Sequence, residues 1–204
     1  MEILYWISGI LGFTANLPYL RDIVISSKTN TPLKPIRISW FIFTVLDTLI
    51  VFNSIANDQS LLEIALPIGY MLGAFLVALF SIPYGSWIDE SSGKKGLSAF
   101  KNEFIILGIS LLGILIWQFG NSNISLIAFC IALVIGAKPI IQRTWNDPGS
   151  EPKLPWTMWA IASVISVICL GNPIHWTLTG SLVSLVYLSL NIPMMYACIS
   201  RKEK

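Results

Sequence analysis

Residues 36–56 read IRISWFIFTVLDTLIVFNSIA, with one basic side chain at the start, Arg37, and one acidic side chain in the middle, Asp47. As a helix rising 1.5 Å per residue, a run of this length covers the roughly 30 Å hydrocarbon layer of a bilayer. Similar runs occupy about 3–20, 62–82, 104–120, 124–142, 155–171 and 174–199. The chain is 54% hydrophobic and 12% charged. That is about half the charge of an ordinary soluble domain, too little to cover a water-facing surface. Lipid is then the expected solvent for the apolar exterior, and helices the means of satisfying the backbone within it. The expected fold is an all-α integral membrane protein with seven transmembrane helices.

Charge orients these runs. Arg21, Lys28, Lys34 and Arg37 follow the first; Lys94, Lys95 and Lys101 follow the third. Arg143 and Lys153 follow the fifth, with Lys138 just inside its end, and Arg201, Lys202 and Lys204 form the tail. The other connections hold Asp58 and Glu63, Asn121 to Asn123, and Asn172 to His175. All 13 Lys and Arg thus fall on one side, which the positive-inside rule makes cytoplasmic, giving an N-out/C-in chain. Trp6, Trp117 and Trp176 near outer ends, with Trp40, Trp87, Trp145, Trp156 and Trp159 near inner ends, read as an aromatic belt. Met1-Glu2 lacks the positive leader of a signal peptide, so 3–20 is expected to be retained as a span.

Spans 1–2 and 5–6 repeat one plan. Pro18 and Pro139 lie near inner ends, each followed by a polar, basic loop, SSKTNTPLK from Ser26 and NDPGSEPK from Asn146. In the next helix Trp40, Thr44 and Asp47 stand at i, i+4 and i+7; Trp159, Ser163 and Ser166 repeat that spacing. Such positions share a helix face, so each helix is expected to carry a Trp at the cytoplasmic mouth above two cavity-lining polar groups. The competing possibility is that the hydroxyls bond back to their own helix carbonyls. Two like-oriented units of three spans need one extra crossing between them. The expected arrangement is a 3 + 1 + 3 parallel repeat, with 1–85 as the first unit, 86–122 as the linker helix and 123–204 as the second. The third and seventh spans give no convincing alignment.

Asn16-Leu17-Pro18-Tyr19 with Lys28-Thr29 and Ser39-Trp40, and Lys138-Pro139 with the loop to Trp159, resemble the PQ-loop and SWEET-type superfamily. Tyr19 and Ile140 stand where the motif glutamine would follow the proline. The second and sixth spans carry only Pro35 and Pro155 at their starts, without the interior prolines of the sugar transporters. The resemblance implies a 3 + 1 + 3 transporter whose first and fifth helices bend at Pro18 and Pro139 to gate the cytoplasmic side. It also implies an asparagine against the solute, a role open to Asn191.

Asp47 is the sharpest single signal, because a mid-span charge costs about 2.5–3.5 kcal/mol to insert. It is expected to face a cavity and either couple movement to protons or bind a polar or cationic group; a structural carboxyl is the alternative. Asn191 has the same two readings, solute contact or helix-to-helix bond, and Asn16 and Asn53 are weaker candidates. Lys138 is expected to snorkel to the interface, and His175 to lie in an outer loop. Cys130, Cys169 and Cys198 lie in apolar runs without metal-ligand spacing. Enzyme motifs are absent. The sequence therefore points to a non-enzymatic small-solute transporter or facilitator without cofactor or metal, in a prokaryotic cytoplasmic (inner) membrane. A membrane receptor, sorting or assembly protein on the same scaffold is the alternative. Expected partners are the bilayer, a small-molecule solute and, as one option, a second copy of the chain, with no nucleic acid.

Overall fold

Prolines and backbone hydrogen bonding set the helix limits. Pro35 and the extended Ile36 open α3 (Arg37–Ala56), and Pro155 falls in the first turn of α7 (Lys153–Cys169), where a missing N–H costs nothing. The computed structural model describes residues 2–30, 32–86, 101–120, 122–171 and 177–200, with backbone only at 101–103, 178, 179 and 200. Trp87, Lys94, Lys95, Asn121, the run Asn172 to His175, Trp176, Arg201, Lys202 and Lys204 lie outside the described residues. The other helices are α1 (Glu2–Thr14), α2 (Asn16–Ser26), α4 (Ala65–Tyr84), α5 (Lys101–Gln118), α6 (Ser122–Asn146) and α8 (Leu178–Ser200), with a short 3-10 turn at Pro148–Ser150.

Among the described residues five helical stretches are long and apolar enough to cross a membrane: Glu2–Ser26, Arg37–Ala56, Ala65–Tyr84, Ser122–Asn146 and Gly180–Ile199. Two shorter apolar helices, Phe104–Gln118 and Lys153–Cys169, accompany them. Large apolar side chains such as Ile3, Val45, Phe75, Leu107 and Ile131 are exposed along these helices. Water would not tolerate so continuous an apolar exterior, whereas lipid would. The chain is an all-α, multi-pass membrane protein.

Six of the helical segments close a ring in the order α1, α4, α3, α6, α8, α7 and back to α1. In α2 the α1 helix continues against α4 and α7, and α5 lies outside against α6. Exchanging α1 with α6, α3 with α7 and α4 with α8 returns the same ring. The α1–α4 contact brings two backbones close together. A Cβ on Gly69 would collide with the Gly9 carbonyl, so only glycine lets the two backbones approach this far.

Side-chain bonds sort the helix ends into two layers. At one, Arg37 Nε donates to the Ser81 carbonyl (2.9 Å) and the Arg37 N–H to the Ser86 carbonyl (2.8 Å), while Arg143 Nη1 donates to the Lys34 carbonyl (3.0 Å). At the other, Asn53 Nδ2 bonds Ser125 Oγ (2.8 Å), Gln59 Nε2 bonds Thr177 Oγ1 (2.8 Å) and the Tyr5 hydroxyl reaches the Cys169 carbonyl (3.4 Å). Arg37, Arg143 and Lys153 fall in the first layer; Asp58 and Glu63 fall in the second.

Pro139 lies inside α6, whereas Pro18 stands in the first turn of α2, directly after the break. Pro18 removes the donor for the Thr14 carbonyl, and the first helix breaks at Ala15 before running on to Ser26. Asn16 Nδ2 bridges the break, donating to the Gly12 and Phe13 carbonyls (both 3.0 Å). At Pro139, by contrast, α6 continues without interruption to Asn146.

Candidate functional site

The ring surrounds an open cavity of about 570 Å³, a volume that includes solvent space at its mouth. Its walls are part aromatic, with Trp40 and Phe43 from α3, Tyr70 from α4, Trp156 and Trp159 from α7 and Tyr187 from α8, and part aliphatic, chiefly from α6 and α8. Among the described residues the polar side chains besides the tyrosines and tryptophans are Asn16, Asp47 and Asn191, and no Lys, Arg or His lines it.

Asp47 is 3% exposed, and its Oδ1 accepts a hydrogen bond from the Tyr187 hydroxyl at 2.7 Å. Oδ2 has no hydrogen-bond partner among the described residues. Lys138 is exposed and forms no ion pair with Asp47. The Tyr70 ring meets the Tyr187 ring edge-on, with centroids 4.4 Å apart. Each tyrosine hydroxyl crosses to the second helix of the other half of the ring. Tyr187 on α8 reaches Asp47 on α3, and Tyr70 on α4 reaches Ser163 on α7 at 3.0 Å.

Around Tyr70 the hydrogen bonds form a closed set. Asn191 Nδ2 donates to the Tyr70 hydroxyl and to Ser163 Oγ (both 2.8 Å), using both amide protons. Each hydroxyl then donates to the Trp159 carbonyl (both 2.9 Å). With the amide nitrogen as donor to both hydroxyl oxygens, Asn191 Oδ1 is left without a hydrogen-bond partner among the described residues. The Asn16 amide is fixed, because its Nδ2 faces two carbonyls that can only accept.

The paired stripes divide on folding. Asp47 and Asn191 line the cavity; Thr44, Ser163 and Ser166 do not. Thr44 bonds back to the Trp40 carbonyl (2.9 Å), which is the ordinary fate of a helix hydroxyl. Ser163 belongs to the Asn191 network, and Ser166 shares a proton with Ser184 of α8 (2.8 Å). Asn53 ties α3 to α6 at the acidic end, away from the cavity.

The tryptophans also divide. Trp6 and Trp145 are exposed to the surroundings, but Trp40, Trp156 and Trp159 are buried in the ring rather than in a belt. Trp40 and Trp159 lie 6.0 Å apart, Tyr19 of α2 packs on both, and Trp156 packs on Trp159. Trp159 Nε1 donates to the Gly12 carbonyl (3.1 Å), one turn before the break at Ala15. The Trp40 indole N–H and the Tyr19 hydroxyl are buried without a hydrogen-bond partner. Beyond this aromatic plug, Glu151 forms a buried ion pair with Arg143 and accepts from Trp156 Nε1 (3.2 Å).

Sequence reasoning passed over Tyr70, Tyr187 and Glu151. For the tyrosines a signal existed. Both stand well inside an apolar run, where a hydroxyl needs an internal partner. Among the described residues no group of three His, Cys, Asp or Glu could hold a metal ion, and the three cysteines are buried and free. No protein-family model, curated protein or solved structure matches the chain.

Proposed function

We propose that this chain is a small-solute transporter or facilitator working by alternating access, with seven spans, N-out and C-in, in a prokaryotic cytoplasmic membrane. The observation that carries the reading is the cavity between the two halves of the ring, with a carboxyl on its wall that keeps one oxygen free. A purely structural Asp47 would be expected to have both oxygens engaged by the protein. The ring's symmetry under exchange of its halves supports the 3 + 1 + 3 repeat, with units 1–85 and 123–204 and a linker helix in 86–122. The short α7 counts as a span because its ends reach both layers, and the gathering of bases in one layer supports the orientation. The PQ-loop and SWEET-type resemblance agrees with this architecture. In this scheme the halves rock about the cavity, Pro18 and Pro139 supply the bends, and Trp40 and Trp159 with Tyr19 close the basic end.

Alternating access is testable without knowing the solute. Ala137 is buried on the cavity wall. In a background with Cys130, Cys169 and Cys198 replaced by Ala, Ala137→Cys should react with a membrane-impermeant maleimide added to right-side-out vesicles and also to inverted ones. Reaction from a single side, or from neither, would reject the transporter reading and favour a receptor or assembly protein acting through its basic loops.

A further inference from the structure

We infer that the cavity takes a small organic ammonium ion, a singly protonated amine with an apolar body and no carboxylate. The inference rests on the reading of the cavity as a solute site and adds the chemical class of the solute.

The polar atoms that the cavity leaves unused are mostly acceptors. Asp47 Oδ2, Asn191 Oδ1 and Asn16 Oδ1 have no hydrogen-bond partner among the described residues, whereas the amide nitrogens of both asparagines are consumed within the protein. Of the lining donors, the Tyr70 and Tyr187 hydroxyls and the Trp159 indole are also committed, and only the Trp40 N–H is left over. A ligand suited to such a surface donates hydrogen bonds and accepts few. An ammonium group has up to three donors and no acceptor.

Charge and shape agree. Asp47 is the one ionisable carboxyl on the wall, with no basic side chain beside it, so the cavity favours a single positive charge. Taken out of water, that charge needs the opposing carboxylate and gains further from aromatic faces. Trp40, Phe43, Trp156, Trp159, Tyr70 and Tyr187 supply such faces and also match an apolar body. An amino acid fits poorly. Its carboxylate would have no cation to meet, since the nearby Arg143 is already paired with Glu151 beyond the tryptophans. A sugar would bring many hydroxyl acceptors to a wall with one spare donor.

The test is calorimetric titration of the full-length protein in detergent with four probes: 2-phenylethylamine hydrochloride, 2-phenylethanol, phenylalanine and glucose. Propylamine and cyclohexylamine cover smaller bodies. At least one amine should bind saturably, and more tightly than the alcohol, the amino acid and the sugar. Asp47→Asn should weaken that amine by at least about tenfold, the loss expected for a charge-assisted contact. Trp40→Leu should weaken it several-fold and Trp40→Phe less, which keeps the proposal testable should Asp47→Asn fail to fold. Equal binding of amine and alcohol, a preference for glucose or phenylalanine, or no binding of any of the three amines would overturn it. If Ala137→Cys still reacts from both sides in that case, the transporter reading stands and only the solute class is wrong. If that reaction fails too, the transporter reading itself has fallen.

Discussion

The two halves of the ring share a layout and differ in chemistry. In the first half the leading helix breaks at Ala15 beneath Pro18, the second helix carries a carboxyl at its third stripe position, and the basic corner is joined mainly by backbone bonds between Pro35, Arg37 and Ser86. In the second half α6 runs unbroken through Pro139, Ser166 stands where Asp47 does, and the basic corner is joined by the buried Arg143–Glu151 pair. The tyrosines bind the halves to each other, since the Tyr187 hydroxyl donates to Asp47 and the Tyr70 hydroxyl to the Trp159 carbonyl. A ring of two like-ordered halves can thus keep its symmetry in the helix order while placing the charge, the break and the ion pair on one side only. Motion between the halves would have to break the crossed tyrosine bonds or carry them along.

The largest expected difference is at the basic corners. Glu151→Ala leaves the Arg143 guanidinium buried with its carboxylate gone and should cost about 3–5 kcal/mol. Arg37→Ala, in the first half, removes the Nε bond to the Ser81 carbonyl while the backbone bonds persist, and should cost less, about 1–2 kcal/mol. Unfolding temperatures of the two variants in detergent would show the order; equal losses would mean that the corners are held alike. The tyrosines come next. Tyr187→Phe strips Asp47 Oδ1 of the only donor it has among the described residues and should cost about 1–3 kcal/mol, whereas after Tyr70→Phe the Asn191 amide still bonds Ser163, for a loss of about 1 kcal/mol. A Tyr70→Phe variant less stable than Tyr187→Phe would contradict the hydrogen-bond scheme. Smallest is the proline comparison. Pro18→Ala can restore the missing helix bond at Thr14 and should raise stability by about 1 kcal/mol or less, with Pro139→Ala moving it less, because α6 already tolerates its proline. Matching shifts, read from the same melts, would mean that Pro18 is no more of a hinge than Pro139.

Much of the helical plan is legible in the sequence. The apolar runs at 36–56 and 62–82 match α3 and α4 to within a few residues, because run length is set by the bilayer and ends are set by charge and proline. The run at 3–20 stops short of Ser26, since Arg21 and Asp22 read as loop although the helix continues through them. Asp47 stands out by itself, because a carboxyl amid apolar residues has few uses. The aromatic plug was hidden, since a tryptophan near a helix end has the same sequence signature whether it points to headgroups or to the interior.

Composition alone therefore determined the solvent, the helical class and the place of the one mid-span acid. Which face of each helix turns inward was decided only by tertiary packing. In a soluble protein the apolar stripe marks the buried face, but lipid is as apolar as the protein interior, so hydrophobicity is nearly the same on both sides of the helix. Thr44 and Asp47 share a stripe, yet one bonds its own backbone and the other meets Tyr187 from a helix 140 positions along the chain. The Asn191 network likewise exists only once distant segments pack together, because the amide needs partners that its own helix cannot supply.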